Sequence, residues 1–317
     1  MPLFVQEKQS IPSSLLRDKY GWPPFSVLNT ISFDWQRRKD EWETIIEDST
    51  IGRDTKRFNA TPTNIFSSRG EKAKKAESIS SFDPYLCELM YRWFSRPGDM
   101  ILDPFAGGNV RGSVAAVLGR DYYGIDLSLD QVSANHTHFN RMTKNYTNIQ
   151  GTANWIHGDS EDIISQYCCS NYYDMVLTCP PYYNLEVYTK DPRDLSRMPS
   201  YADFLHKYTS ILKESARCLK EDSFFVIVVS EVRADSHDIS NSHYLGLVPD
   251  TIKILQDCNL SYYNEIILMN NIGSLPVRAP KFFDRTRKIG RHHQNVLVFY
   301  KGNLANIEEK FGKVSTQ

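Results

Sequence analysis

The sequence predicts an α/β fold, doubly wound around a mostly parallel sheet. Three observations carry that expectation. Short β-branched and aromatic runs recur from residue 81 onward, amphipathic stretches of helix length separate them, and the best-defined run, MILDPF at 100–105, ends in an acidic residue and a glycine turn. Apolar runs alternating with helices belong to sheets covered on both faces.

The elements follow in order. FDPYLCELMYRWF (82–94) has helical spacing, with Asp83 placed as N-cap and Pro84 at the first helical position. MILDPF is a strand, and NVRGSVAAVLG (109–119) a helix beyond the glycine turn. DYYGIDLS (121–128) is the second strand and LDQVSANHTHFNRMTKN (129–145) the next helix. NWIHGD, DMVLTC, FFVIVVSE, YYNEIILM and NVLVFYKG complete seven strand candidates, with helices expected over 201–220 and 248–259. The last two strand candidates follow each other without a helix, which predicts an antiparallel pair at the sheet edge.

The first eighty residues differ from the rest. They are rich in Trp, charge and turn residues, and form an extension (1–80) expected to pack on or near the site of the main domain (81–317). WQRRKDEWETII (35–46) reads as an amphipathic packing arm, and 67–80 as an exposed link.

The chain has 317 residues, 41% hydrophobic, and a net charge of −1, so a sizeable core is available. No apolar run approaches the roughly 20 residues that span a bilayer, and the first twenty residues lack a secretory signal's long apolar stretch. The expectation is a soluble, cytoplasmic protein that engages no membrane. Six cysteines, at 87, 168, 169, 179, 218 and 258, form no CxxC pair and no zinc-ligand spacing, so no metal is expected. The neutral net charge does not exclude a local polyanion site. In RAPKFFDRTRKIGRHH (278–293), Arg278, Lys281, Arg285, Arg287, Lys288 and Arg291 with two His face one Asp, a candidate nucleic-acid footprint that equally reads as a solvated loop.

The strongest local signal is DPFAGGNVRG (103–112). A strand ends in Asp103 and turns through Gly107 and Gly108 into a helix, where the carboxyl ends of α/β strands bind ligands. The spacing is neither GxGxxG nor GxxxxGK[ST], so no phosphate cradle is specified. Asp103 beside the loop suits a cationic or amine-bearing ligand. Asp126 ends the next strand, where a carboxylate can accept ribose hydroxyls, and Asp159 ends the one after. Each alone also reads as an exposed loop carboxylate; three strand ends in register describe a nucleoside pocket without phosphates.

DPFAGG followed by GID, GDS and CPPY resembles the S-adenosylmethionine-dependent amino-methyltransferases that act on DNA bases, and PGDMILDPFAGGNVRGSVAAVLGRDYYGIDLS resembles their cofactor motif over its whole length. Stretches such as PPFSVLNT, CPPYYNLEVY and HQNVLVFYKG are similar to phage and bacterial DNA modification methylases. The resemblance implies a Rossmann-like methyltransferase sheet of seven strands and S-adenosylmethionine as cofactor. Asp103, Phe105, Ala106 and Gly107 would line its methionine part, Asp126 and Leu127 the ribose and adenine edge, and Asp159 and Ser160 the adenine amino group. DNA is the implied partner, with a target base extruded and a restriction nuclease as a possible companion.

TCPPYYNLEVY (178–188) is the catalytic candidate. The resembling family carries Asp, Asn or Ser, then Pro-Pro-Tyr or Phe. The polar side chain and the first proline's carbonyl accept from an exocyclic amine, and the ring stacks on a base that has left the helix. Cys179, Pro180, Pro181 and Tyr182 take those places here. A thiol is a weak acceptor, which leaves three readings. Cys179 replaces serine while Pro180 does the work; or it is the nucleophile of a pyrimidine C5-methyltransferase; or it is structural. Tyr183 lies beside the base or packs in the core. Asn184 and Glu186 lie in the following loop near any bound base, and a carboxylate there would accept from an amine or cap a helix. Ser230 and Glu231 end a further strand. Arg278, Lys281, Arg285 and Arg287 suit phosphate contacts, which position without reading sequence. The expected product is N4-methylcytosine or N6-methyladenine; the alternatives are the C5 reaction, an RNA amino-methyltransferase, and a cofactor- or DNA-binding module without turnover.

Overall fold

The computed structural model describes residues 20–46, 81–234 and 242–312. The expected link at 67–80 lies outside the described residues.

The strands are β1 (Val27–Asn29), β2 (Met100–Asp103), β3 (Asp121–Asp126), β4 (Thr152–His157), β5 (Tyr173–Thr178), β6 (Leu219–Val229), β7 (Ser261–Met269) and β8 (His293–Lys301). The main helices are α1 (Phe33–Ile45), α2 (Pro84–Phe94), α3 (Val110–Val117), α4 (Leu129–Asn145), α5 (Ser160–Tyr167), α6 (Tyr201–Cys218), α7 (Leu247–Asp257) and α8 (Leu275–Thr286), with a short α9 (Ile307–Phe311) at the end. One sheet contains all eight strands in the order β1-β7-β8-β6-β5-β2-β3-β4. The fold is the doubly wound, Rossmann-like α/β class that the sequence predicts.

Two details differ from expectation. The sheet has eight strands rather than seven, because Val27–Asn29 pairs parallel to β7. The antiparallel strand is β8, and it lies inside the sheet between β6 and β7 rather than at an edge. Helix α8 separates β7 from β8, where no helix was expected. Its sequence carries Pro276 and Pro280, which lower its helix propensity, and none of its residues is buried.

Strand alternation sorts the core into two layers. Met175 and Leu177 of β5, Phe224, Val226 and Val228 of β6, and Val296 and Val298 of β8 face α2 and α3. Val176, Phe225, Ile227, Val229, Leu297 and Phe299 face α6 and α7. Helix α3 lies close to the sheet at Gly112, where a Cβ would come within 2.5 Å of the Trp155 ring.

The sheet order reverses between β2 and β5, each of which ends at the same edge of the sheet. Ligands of open α/β sheets bind in the crevice at such a switch point. The loop after β2 carries Phe105–Gly108, and the loop after β5 carries Cys179–Tyr182, so the topology brings both candidate motifs together.

The described part of the N-terminal arm is fastened to this domain through a buried carboxylate. Glu88 of α2 accepts from Arg38 Nε at 2.8 Å and Nη2 at 2.9 Å, from Trp42 Nε1 at 2.6 Å and from Arg92 Nε at 2.9 Å. Burial alone would raise the Glu88 pKa; the bonds and charge of Arg38, the Trp42 bond and the Arg92 charge outweigh it and leave the pKa lowered. Trp35 donates to Asp83 at 3.0 Å and packs edge-on to Trp22.

Glu88→Ala should cost about 2 kcal/mol, below the usual range for breaking a buried pair because Arg38 keeps 37% of its side chain exposed. The pH dependence has a defined sign. A lowered native pKa adds stability that is complete above the ordinary glutamate range and vanishes as pH falls through the native value. In urea unfolding, the gap between wild type and Glu88→Gln should therefore narrow toward acid pH; a gap independent of pH would refute the role of the charge.

Candidate active site

At the switch point lies a cavity of about 860 Å³, within the range of small-molecule and cofactor sites. Its walls combine the loops after β2, β3, β4 and β5 with residues of α1, α6 and the β7–β8 connection.

The glycine turn is built around Asp103. Its side chain has no exposed surface. Oδ2 accepts from Arg111 Nε at 2.5 Å and from the Tyr122 hydroxyl at 2.8 Å; Oδ1 accepts from Thr178 Oγ1 at 2.6 Å and from the Phe105 amide at 3.1 Å. Arg111 Nη2 also donates to the carbonyls of Phe105 at 2.5 Å and Ala106 at 3.0 Å. Burial disfavours the Arg111 charge, but Asp103 outweighs it and holds the guanidinium above its ordinary pKa. Burial, reinforced by the Asp103 charge, pushes the Tyr122 phenol well up.

This corrects the expectation for Asp103, which does not line the cavity. Its carboxylate is turned inward and bonded to four protein groups, so it shapes the turn from behind. Phe105, Ala106 and Gly107 do line the cavity. Gly107 adopts a φ of 52°, in the left-handed region open to glycine.

Asp126 faces the cavity and braces the same turn. Its Oδ2 accepts from the Gly107 amide at 2.9 Å and its Oδ1 from the Ser128 amide at 2.8 Å. Leu127 sits beside it.

Asp159 is more heavily engaged than expected. It caps α5 through the Glu161 amide at 3.1 Å and pairs with Lys207 Nζ at 2.5 Å. An amine of the protein thus already sits on the carboxylate expected to read an adenine amine. Ser160 lines the cavity and donates to the Pro104 carbonyl at 2.5 Å.

The sharp corner TCPPYY follows β5. Cys179 is partly buried, with Sγ 3.4 Å from the Tyr182 hydroxyl. Burial raises the thiol's pKa; Arg111 and Tyr182 offset it only in part. Tyr182 is pinned by Gln294 Nε2 of β8, which donates to its hydroxyl at 2.9 Å. Tyr183 has a positive φ of 50°, unusual for a bulky residue. That backbone turn sends neighbouring tyrosines in opposite directions. Tyr182 lines the cavity, whereas Tyr183 packs against Tyr201 and Phe204 at 5.7 and 5.6 Å. Tyr183 is therefore a packing residue, one of the two readings left open by the sequence.

Asn184 is exposed and off the cavity wall; Leu185, Glu186 and Tyr188 of the same loop line it. Asp194 fastens this loop, accepting from the amides and hydroxyls of both Thr189 and Ser196. Glu231 lines the cavity but holds the α7 N-terminus through the amides of Gly246 and Val248.

Of the expected phosphate-contacting residues, Arg278 reaches the cavity wall. Lys281 and Arg285 lie on the exposed α8 outside it, and Arg287 borders a neighbouring groove with Arg233, Tyr244 and Lys288. Sequence reasoning missed Thr30, Gln36 and Lys39 from the N-terminal arm, Arg111 within the motif itself, Lys207 of α6 and Gln294 of β8. Arg111 was legible as an unexpected cation in the first turn of α3, just after the glycine turn; Lys207 carries no signal in sequence.

The family model described as DNA methylase matches residues 20–136, so this part of the chain carries that family's pattern. The type II methyltransferase M.HinfI of Haemophilus influenzae is 40% identical over 58 residues, 18% of this chain and 16% of its own length. The chain thus spans less than a fifth of that curated relative. Among solved structures, TrmN from Thermus thermophilus covers 70% of this chain and 50% of its own, at a TM-score of 0.43 and 15% identity. TTHA0409, also from Thermus thermophilus and complexed with S-adenosyl-L-methionine, covers 46% and 54%, at 0.34 and 18%.

Asp103→Asn should leave the buried Arg111 charge uncompensated and cost about 3–5 kcal/mol of stability. Adding Arg111→Met should cost less than the sum of the two single changes. Additive losses in chemical denaturation would show that the pair is not a unit.

Proposed function

We propose that this chain transfers a methyl group from S-adenosylmethionine to the exocyclic amino nitrogen of an extruded DNA base, giving N4-methylcytosine or N6-methyladenine. One observation carries the reading: the glycine turn with Asp126 and the Cys-Pro-Pro-Tyr corner are two walls of one cavity at the sheet's switch point. The DNA methylase match over residues 20–136 supports it independently.

The residues present fit a cationic nucleoside ligand without phosphates. The cations nearest the turn are committed elsewhere, Arg111 to Asp103 and Lys207 to Asp159. At the turn itself the wall presents backbone of the glycine turn, the Asp126 carboxylate and the apolar sides of Phe105 and Leu127. Asp126 would accept from the ribose hydroxyls and Gly107 would allow close backbone approach; Asp159 and Ser160 would wall the adenine end. When bound, the cofactor supplies an electrophilic methyl on a sulfonium.

Pro180 would accept from the target amine through its carbonyl, and Tyr182 would stack on the base. Stacking of this kind is worth about 1–3 kcal/mol, and the Gln294 bond fixes the ring before a base arrives. The raised thiol pKa keeps Cys179 in its neutral form, which supports the amine reading over a C5 reaction needing a thiolate nucleophile. Methyl transfer to a positioned amine draws chiefly on orientation. Lys281, Arg285 and Arg287, outside the cavity, would meet phosphates of the flanking strand.

The direct test is expression in a host of known methylation, digestion of its DNA to nucleosides and mass spectrometry. N4-methylcytosine or N6-methyladenine above the empty-vector level is expected; neither base above that level sinks the proposal. Cys179→Ser should keep turnover within about tenfold of wild type, a change of at most about 1.4 kcal/mol in barrier. Loss of all turnover would instead favour the covalent C5 route. Asp126→Ala should weaken cofactor binding in calorimetry without unfolding the chain. Charge reversal at Arg285 and Arg287 should weaken binding to every DNA sequence and flatten its salt dependence by about 0.9 per lost phosphate contact.

A further inference from the structure

Helix α8 adds nothing to the buried core. None of its residues is buried, and the aromatic pair Phe282 and Phe283 stands 55% and 45% exposed on it. Large apolar side chains held in water among charged ones mark a surface that meets a partner. The helix also belongs to the cavity, since Leu275 and Arg278 line its wall.

Helical spacing sorts the side chains of α8. Residues three, four or seven apart share a face. Arg278, Lys281 and Arg285 follow one another at those intervals and make a row of cations, with Asp284 as the only acidic residue of the helix. Phe282 lies four residues beyond Arg278 and seven beyond Leu275. It therefore continues the cavity-lining side of α8 by one turn and stands where that side leaves the cavity for solvent. Phe283 turns elsewhere and lies beneath the Arg287 guanidinium, 5.3 Å from the ring centre.

The cation row and the exposed ring fit one partner. From Arg278 to Arg285 the helix rises about 10 Å, and three steps along one DNA strand rise roughly the same distance. A helix laid along a duplex there would set its cations against successive phosphates. A base that enters the cavity leaves a gap in the stack beside that strand. Proteins that open base steps do so with inserted apolar wedges, phenylalanine among them. A second copy of this chain would set like charges against each other and is the poorer occupant.

We infer that Phe282 inserts into the base stack of duplex DNA at the gap left by the extruded base, with Arg278, Lys281 and Arg285 on the phosphates of one strand. The inference rests on the base-extruding reading above. Phe282 is a positioning residue: it touches neither the methyl donor nor the target amine, and it acts by keeping the base from returning to the stack. Unstacking costs least for a base that is already unpaired, so the ring matters for a paired target and little for a freed one.

The test uses the full chain and tritiated S-adenosylmethionine. The base that the wild-type chain labels in unmethylated bacterial DNA is mapped, and two oligonucleotide duplexes are made, one with that base paired and one with it opposite an abasic site. With Phe282→Ala, kcat/KM on the paired duplex should fall about tenfold or more, while on the abasic duplex it stays within about threefold of wild type. Phe282→Leu keeps an apolar wedge and should recover most of the loss. Cofactor affinity by calorimetry should hold within about twofold in both variants. Val277→Ala, on another face of the same exposed helix, should match wild type on both duplexes. The inference is overturned if Phe282→Ala keeps its rate on the paired duplex, if its losses on the two duplexes are equal, if Phe282→Leu recovers nothing, if Val277→Ala reproduces the pattern, or if the wild-type chain does not label the abasic duplex. Binding to phosphatidylserine vesicles that is lost in Phe282→Ala, with labelling unchanged, would assign the ring to a membrane surface instead. A wild-type chain that labels no DNA removes the function proposed above together with this role, whereas labelling by an unimpaired Phe282→Ala chain removes the role alone.

Discussion

A charge buried at the end of β2 sets the arrangement of everything around it. Taking a carboxylate and a guanidinium out of water costs several kcal/mol for each ion, and only dense hydrogen bonding offsets it. Asp103 and Arg111 meet that condition, with four donors on the carboxylate and two backbone carbonyls besides Asp103 around the guanidinium. Those bonds reach three separate elements. Phe105 and Ala106 belong to the glycine turn, Tyr122 to β3, and Thr178 to the last position of β5. The two loops that form the cavity are therefore held in register by one ion pair, whose carboxylate stays behind the turn while its guanidinium reaches the cavity wall.

The same economy governs the acidic strand ends. Asp126 and Asp159 stand where a nucleoside would be read, yet each also binds protein groups that shape the loops. A carboxylate used in this way is held in a fixed orientation before any ligand arrives, which lowers the ordering cost of binding. Asp126 braces the turn through the Gly107 and Ser128 amides and also lines the cavity. For Asp159 the partner is a lysine, and a ligand amine would have to share or displace it.

The legibility of the sequence follows from this division. Strands buried on both faces and helices with a clear apolar stripe were readable, since burial writes a period into the residues; β2 to β8 and α2, α3, α4, α6 and α7 were all expected near their observed positions. The cavity residues brought by motif loops were readable for a related reason: Pro-Pro, Gly-Gly and strand-end Asp mark backbone that cannot be regular. Three kinds of feature left no trace. Strand β1 is three residues long and exists only because β7 offers an unpaired edge. Helix α8 buries none of its residues, and Pro276 and Pro280 mask its amphipathic pattern. Inward or outward orientation, as for Asp103 against Asp126, or Tyr182 against Tyr183, depends on partners far away in sequence: Arg111, Tyr122 and Thr178 in the first case, Gln294 and Phe204 in the second.

The N-terminal arm shows how such distant partners complete a site. Thr30 bonds the carbonyl of Met269 at the end of β7 through its hydroxyl at 2.5 Å, and the Gln36 amide returns to the Thr30 carbonyl. Glu88 holds α1 onto α2 at the other end. Fixed at both ends, the arm places Thr30, Gln36 and Lys39 on the wall of the same cavity as the Cys-Pro-Pro-Tyr corner, far from it in the chain. The wall is thus assembled from residues before and after the glycine motif, and a carboxylate in α2, with no surface in the cavity, governs whether its N-terminal part stands in place.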